Sequence, residues 1–140
     1  QAPVKSMVRL SGISLGGGAS VKAFTFATSI EVLGSDILRT VDATNGDTFT
    51  IQVSGNYFMT LKAGSISIFG FTKNNSNVTT LIGVLTQSTV LQSVEADTTN
   101  YLNCVWCGWL DKGDVIRCMS DGASFSGTDA DGKFTMTRVS

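Results

Sequence analysis

The residues most able to do chemistry in this chain are cysteines and aspartates, because the chain contains no histidine. Cys104 and Cys107 form a C-x-x-C pair, a spacing found in redox-active proteins and in zinc sites. Redox motifs of this kind normally open a helix in a βαβ setting, which the surrounding sequence lacks. A structural zinc site needs four ligands, and three cysteines do not complete one. The sequence therefore predicts no redox site, no metal and no cofactor.

The aspartates do not form a metal-binding motif either. Asp129-Ala-Asp131-Gly132 resembles part of a calcium loop, but alignment with an EF-hand puts Gly127 and Arg138 at the first and last ligand positions. The carboxylates that such a loop requires are therefore missing, and a solvated turn is the better interpretation. Asp111 and Asp114 flank a Lys-Gly pair, which is ordinary turn chemistry.

No catalytic motif takes their place. The chain has no histidine base and no G-x-S-x-G elbow. The triplet 16–18 is all glycine but lacks the Lys-Ser/Thr partner of a phosphate loop, so we interpret it as a flexible break. The sequence predicts that the chain is not an enzyme.

Composition limits the class of protein further. The 140 residues make one domain with a real core. Hydrophobic residues make up 42% and charged residues only 15%, while no apolar run approaches the ~20 residues of a membrane span. A surface so poor in charge favours cover by another chain. The net charge of −1 gives no basic footprint for nucleic acid.

The stretch 46–64 carries the strongest structural pattern. Phe49, Ile51 and Val53 alternate with polar residues, which predicts a strand with one buried face. A Gly55-Asn56 pair follows, then a second apolar run at 57–61. The pattern predicts a hairpin in which these two strands pair with each other.

Short strands recur along the whole chain. Residues 28–41 have an ambiguous pattern that we interpret as a loop with a short helical turn or strand, and 73–77 form a polar surface turn. The other predicted strands are 4–10, 21–26, 65–72, 78–85, 88–94, 103–110, 115–119 and 133–139. Nine or ten strands at this spacing predict an all-β sandwich.

Two anchors in this pattern resemble the C1q/TNF-like jelly-roll family. The first runs from Gly46 through Phe49 and Val53 to Tyr57-Phe58, a Gly-led Phe strand followed by a Gly-x-Tyr strand. Met59 departs from it, since an aromatic residue is usual there. The second anchor is the L-D-K-G-D-V run at 110–115, like that family's turn. The resemblance covers most of the chain and implies a jelly-roll sandwich of about ten antiparallel strands, assembled as a homotrimer.

The resemblance also bears on the thiols and on calcium. If Lys112-Gly113 were a two-residue hairpin turn, Cys107 and Cys118 would lie opposite each other, as in a disulfide. The family's fold sends those two strands into different sheets and so implies three free, mostly buried thiols. Some family members bind calcium near the trimer axis, which leaves open a site involving Asp111, Asp114, Asp129 or Asp131.

The resemblance suggests where a trimer interface lies. Apolar side chains that share one strand face form either the sandwich core or the contact along the threefold axis. The candidate interface residues are Tyr57, Met59, Leu61, Phe134, Met136 and Arg138. Arg117 and Arg138 are candidates for pairing with a carboxylate of another subunit or for holding a small acidic molecule at the subunit interface.

Within that family, the low charge and the Thr/Asn/Gly-rich texture are most similar to knobs that end tail needles and fibres of short-tailed phages infecting Shigella. This implies a structural virion protein that contacts or helps penetrate the host envelope and closes the DNA exit channel. It also implies that residues 1–140 are one knob domain of a longer chain with an N-terminal coiled-coil stalk. The alternative is a secreted, extracellular C1q/TNF-like module that binds a receptor or carbohydrate. Asn74, Asn75 and Asn77 are candidates for contact with a host cell-surface component.

Overall fold

The fold is all-β. The computed structural model describes residues 6–18, 20–64, 68–86, 89–95, 102–121 and 129–140, with the backbone alone for 129 and 130. The strands in these residues are β1 (Ser6–Leu15), β2 (Phe24–Leu33), β3 (Ile37–Thr40), β4 (Thr48–Ile51), β5 (Gly55–Ala63), β6 (Ile68–Lys73), β7 (Val90–Glu95), β8 (Leu102–Leu110), β9 (Val115–Ser120) and β10 (Asp129–Arg138). A short 3-10 helix spans Ile82–Val84. The predicted strand positions 4–5, 65–67 and 88 lie outside the described residues.

The strands form two antiparallel sheets. The front sheet has the order β2-β1-β10-β5-β8, and the back sheet has the order β3-β4-β9-β6-β7. Most strands that follow each other along the chain lie in different sheets, which is the jelly-roll arrangement that the sequence predicts. The fold prediction is therefore confirmed.

The core lies between the two sheets and follows the period-2 alternation of the strands. Tyr57, Met59 and Leu61 of β5 and Phe134 and Met136 of β10 all point inward and are fully buried. Aromatic rings join the sheets, with the ring centroids of Phe49 and Phe134 only 4.6 Å apart. Each such ring buries well over ~100 Å² of apolar surface, which drives the two sheets together.

The predicted hairpin is wrong. β4 belongs to the back sheet, whereas β5 belongs to the front sheet and pairs with β10 and β8. Both strands bury their inward side chains, and facing sheets let those side chains pack against each other. Gly55 is the first residue of β5 rather than part of a turn. A Cβ there would lie 2.4 Å from the carbonyl oxygen of Ser140, so the close approach of the C-terminal residues requires glycine.

Two other segments differ from the predictions. Residues 28–41, predicted as a loop with a short helical turn or strand, are instead mostly strand, on both sides of a turn at 34–36. The predicted strand 78–85 is instead part of a strap, residues 74–86, that crosses the outside of the back sheet. Ile82 of this strap packs against Val21, Ala23 and Met119 in a second, smaller apolar cluster. A short apolar run indicates burial, but here it covers a sheet instead of joining one.

The glycine triplet 16–18 is held in place. The amides of Gly16, Gly17 and Gly18 donate to the carbonyls of Ala23, Ala43 and Thr44, at 2.7 to 3.0 Å. The backbone of this segment is therefore docked on the 43–44 loop, in place of the flexible break that the sequence suggests.

We call the base the end of the sandwich at which β1, β5 and β9 begin and β10 ends. An ion pair fixes the opposite end, where Arg39 of β3 and the fully buried Asp47 meet at 2.7 Å. Asp47 also accepts the amide of Phe26, and Arg39 donates to the carbonyl of Phe26, so the pair connects the two sheets. Among the described residues, no helix is long and apolar enough to span a membrane.

Candidate subunit interface

The outward face of the front sheet carries an apolar row near the base. Strand pairing places its residues side by side across all five strands, because directly paired residues point to the same side of a sheet. The row runs Leu33–Met7–Thr137–Phe58–Cys107. We call these five residues, with their neighbours Val105 and Trp109, the front face.

Exposure shows that the front face is incompletely covered. Phe58 is 37% exposed and Trp109 57% exposed, and Leu33 and Val105 are also largely open. Thr137 is buried because it lies between Met7 and Phe58 in the row. Away from the base the same face becomes polar, where Lys133 lies opposite Lys62. The apolar part is therefore a defined patch and not a property of the whole sheet.

Trp109 is held in one orientation. Its Nε1 donates to Oδ1 of Asp111 at 2.9 Å, and the amide of Asp111 donates to Oδ2 of Asp114, also at 2.9 Å. Gly113, with φ at 95°, supplies the left-handed residue of this 111–114 turn. A large exposed indole with a fixed ring plane loses little side-chain entropy when a partner covers it, which suits an interface.

Five of the six predicted interface residues lie elsewhere. Tyr57, Met59, Leu61, Phe134 and Met136 are fully buried between the two sheets of the protomer. A side chain closed inside its own protomer does not contact another chain, which corrects the prediction. The hydroxyl of Tyr57 donates to the carbonyl of Val53 at 2.6 Å, and burial raises the pKa of this group.

The sixth residue, Arg138, has its partner within the chain. Its Nη1 lies 2.9 Å from Oδ2 of Asp36, and both side chains are largely buried at the base. Ser6 accepts the amide of Asp36 through its hydroxyl, so this pair joins β1, β10 and the 34–36 turn. Arg138 therefore has a carboxylate partner in its own protomer, and pairing of Arg138 or Arg117 across subunits stays a prediction. The Nε of Arg138 has no partner among the described residues.

Arg117 lies on the outside of the back sheet, under the strap. Its Nη1 donates to the carbonyl of Asn75, and its buried Nε has no partner within the described part of the chain. Burial lowers the pKa of this guanidinium, and the nearby carboxylate of Asp42 opposes that shift. Arg117 and Arg138 are therefore on different sheets. That either one holds a small acidic molecule stays a prediction.

The three candidate asparagines differ in exposure. Asn75 is buried, where its amide donates to the carbonyl of Asn77 and to the sulfur of Met119, so it is not available to a host molecule. Asn74 is exposed but anchors the base, because its side chain accepts the amide of Val115 and donates to Asp114. The side chain of Asn77 caps the turn that follows it. Host contact by Asn74 or Asn77 stays a prediction.

All three cysteines are free thiols, as the resemblance implies. β8 and β9 lie in different sheets, so Cys107 does not face Cys118. Cys104 and Cys118 are buried, and burial raises the pKa of the Cys104 thiol to about 12. Cys107 is exposed on the front face, so two of the three thiols are buried. The two buried thiols are thus unreactive at neutral pH, while Cys107 is accessible in the isolated protomer.

No metal-binding group emerges within the described residues, where His, Cys, Asp and Glu nowhere gather in threes. The carboxylates of Asp111 and Asp114 are already occupied by the indole, by a backbone amide and by Asn74. The side chain of Asp129 lies outside the described residues.

The front face was missed by the sequence analysis, although the signal was present. Phe58 sits between Tyr57 and Met59, so period-2 alternation puts an aromatic residue on each face of β5. Trp109 and Val105 share a face of β8 with Cys107. A strand with apolar residues on both faces indicates a core on one side and a partner on the other.

Comparisons with known proteins support the fold. No protein-family profile matches the chain, and no curated protein sequence matches it. Among solved structures, murine APRIL at pH 8.0 is similar, with a TM-score of 0.55 and 12% identity, over 96% of this chain and 98% of that one. Pika GITRL matches with a TM-score of 0.57 and 13% identity, over 99% and 98%. Rabbit GITRL matches with a TM-score of 0.59 and 10% identity, over 96% and 94%. At such identities the likeness shows the fold alone, a C1q/TNF-like jelly roll.

Proposed function

We propose that the chain is a non-catalytic structural and binding module that works as a homotrimer, with the front face as the subunit contact. The observation that carries the proposal is the apolar row that contains exposed Phe58, with exposed Trp109 beside it. A patch of this kind on a chain poor in charge is typical of a surface that another chain covers. A threefold ring brings the same patch of three chains together around one axis.

The proposed setting is the distal knob of a phage tail needle or fibre, in the virion, where it contacts the host envelope and helps close the DNA exit channel. Three free thiols without a disulfide support assembly in a reducing compartment. β1 starts at the base, so a preceding coiled-coil stalk would join there and leave the opposite end distal. Three identical chains at one tip would also triplicate any weak host contact and raise avidity.

A secreted C1q/TNF-like module that binds a receptor or carbohydrate outside the cell is the second candidate. The solved structures favour it, since murine APRIL and the GITRL proteins match over nearly the whole chain. In that setting Asn74 and Asn77 would be glycosylation acceptors.

Phe58→Asp tests the trimer. A carboxylate in the middle of the front face would have to be buried unpaired three times, so we expect the variant to sediment as a single chain. The matched control is Val41→Asp, which places the same charge at an exposed apolar residue outside the front face. This variant should stay trimeric. Maleimide labelling of Cys107 gives a second readout, expected to be slow in the trimer and fast in Phe58→Asp. Equal sedimentation and labelling of the two variants would contradict the proposal.

The coding sequence upstream of residue 1 separates the two settings. The phage proposal expects a/d heptads of a trimeric coiled coil there. Collagen-like G-X-Y triplets, or glycans on Asn74 and Asn77 in the natural source, would instead establish the secreted module.

A further inference from the structure

The two long edges of the sandwich differ. At one edge β7 and β8 contact each other, and the inward-facing Trp106 packs with Leu91 and Val94 against the core. Gly108 makes this possible, because a Cβ there would lie 2.7 Å from the indole of Trp106. This edge is sealed.

The other edge, between β2 and β3, is open. A cleft of about 460 Å³ lies there, lined by Val32, Ile37, Leu38, Arg39, Gln52 and the 34–35 turn. Val32 pairs with the buried Val8 and so faces the inside of the sandwich, yet it is 55% exposed. An inward-facing aliphatic side chain with no cover opposite it marks a gap in the core wall. The volume is within the range of about 300–1,000 Å³ that ligand sites occupy.

The strand beside this cleft has a free edge. β2 is the terminal strand of the front sheet and, within the described residues, pairs with β1 alone. Residues 27–33 are all exposed. The pairing slips at Ile30, so residues 31–33 form a separate short edge next to the cleft. Free backbone groups along an edge strand are a template for an added strand.

The charges around the cleft cancel. Nη2 of Arg39 lies 2.7 Å from the carboxylate of Asp47, and its Nε donates to the same oxygen. Glu31, the charged residue of this edge, points to the outer side of the front sheet, away from the cleft, and pairs there with Arg9. The remaining lining is aliphatic apart from the Gln52 amide and Ser35, so an uncharged occupant fits it.

We infer that the β2–β3 cleft docks an extended, uncharged peptide segment of a partner protein. The backbone of the segment pairs with residues 31–33 of β2, and one or two of its aliphatic side chains fill the cleft between Val32 and Leu38. Alternate side chains of an added strand point to the same side, so specificity would come from aliphatic residues at every second position. The inference rests on the proposed role as a binding module, but the cleft belongs to one protomer.

Selection from a displayed library of random octapeptides on the unmodified protein tests this. We expect enriched peptides with aliphatic residues at alternate positions. They should bind Val32→Glu or Leu38→Glu at least about tenfold more weakly, which corresponds to ~1.4 kcal/mol. Val84→Glu, at an exposed aliphatic residue of the strap, is the matched control and should bind like the unmodified protein. Hydrogen exchange on the unmodified protein should show protection of the 31–33 amides when a selected peptide binds.

Several results would overturn the inference. These are a lack of enrichment over an irrelevant protein, peptides that bind both glutamate variants as tightly as the unmodified chain, and protection confined to other strands. If the unmodified protein binds neutral phosphatidylcholine vesicles and the two glutamate variants do not, the cleft binds a lipid surface instead of a peptide. Sedimentation of the same samples distinguishes a failure of the cleft inference from a failure of the proposed trimer. Monomeric cleft variants would show that a second copy fills the cleft, whereas a monomeric unmodified protein would refute the trimer and leave the cleft result standing.

Discussion

Two ion pairs of this chain differ mainly in burial, which decides how much each contributes to stability. Arg9 and Glu31 lie 3.7 Å apart on the exposed outer side of the front sheet, while Arg39 and Asp47 lie 2.7 Å apart with Asp47 fully buried. An exposed pair is worth about 0–1 kcal/mol because solvent screens it. Loss of one partner of a buried pair leaves an uncompensated charge in the interior.

Asp47→Ala should therefore lower the free energy of unfolding by about 3–5 kcal/mol. The variant also loses the acceptor for the amides of Phe26 and Asp42. Glu31→Ala is the control and should change the free energy by less than about 1 kcal/mol. Urea denaturation at one protein concentration measures both, and similar losses in the two variants would show that burial does not govern these pairs.

The buried thiols predict sensitivity to alkali. Cys104 has a pKa of about 12 in the folded chain against a usual value of 9.0. Folding therefore favours the protonated thiol, so its contribution is complete below pH 9 and is lost as the pH rises from 9 towards 12. Burial also raises the pKa of Cys118, which acts in the same direction.

Replacing Cys104 with alanine isolates this effect. The free energy of unfolding of the unmodified chain should fall more steeply between pH 9 and 11 than that of Cys104→Ala. The comparison uses slopes, because the variant also loses packing at every pH. Parallel slopes would mean that Cys104 titrates normally in the folded chain.

At the scale of elements, the strap 74–86 is attached to the back sheet by a few side chains. Ile82 is 2% exposed and packs against Met119, whereas Val84, two residues on, is 69% exposed. The amide of Gly83 donates to Oδ1 of Asp121 at 2.8 Å, which ties the strap to the residue that follows β9. The strap is therefore held both by its buried side and by hydrogen bonds to the back sheet, such as that of the Asn74 amide to the carbonyl of Val115.

Ile82→Ala should destabilise the chain by about 2–5 kcal/mol, as other large-to-small changes in cores do. The amides of the strap should also exchange with solvent faster than those of the sheets. Val84→Ala removes methyl groups in the same turn and should stay within about 0.5 kcal/mol of the unmodified chain. If both variants behave alike, the strap is not docked through Ile82.

The elements show what alternation in a sequence predicts and what it does not. The inward residues of β4, β5 and β10 were predictable, because period 2 fixes which side chains share a face. Which strand pairs with which was not, since the 49–53 and 57–61 runs suit a hairpin as well as two facing sheets. The apolar residues at 78–85 indicate burial without saying that they cover a sheet from outside. For the candidate subunit interface, the sequence pattern pointed to β5 and β10 but to their inward side chains. Burial in a core and burial by a partner select the same residue types, so the pattern does not distinguish the two faces.

At the scale of the whole molecule, the sandwich is closed at one long edge, open at the other, and apolar on the outside of its front sheet. The closed edge needs no partner. The front face and the open edge meet at Leu33, whose side chain belongs to the front face and whose backbone lies on the edge; the other residues of the two surfaces are different. The front face combines aromatic residues with a row that crosses all five strands of its sheet.

The central claim is that three copies cover the front face of one another. Sedimentation equilibrium of the unmodified 140-residue chain at micromolar concentration tests it most directly. We expect one species with a mass three times the 14.8 kDa of a single chain. A homogeneous species of 14.8 kDa, stable over that concentration range, would contradict it.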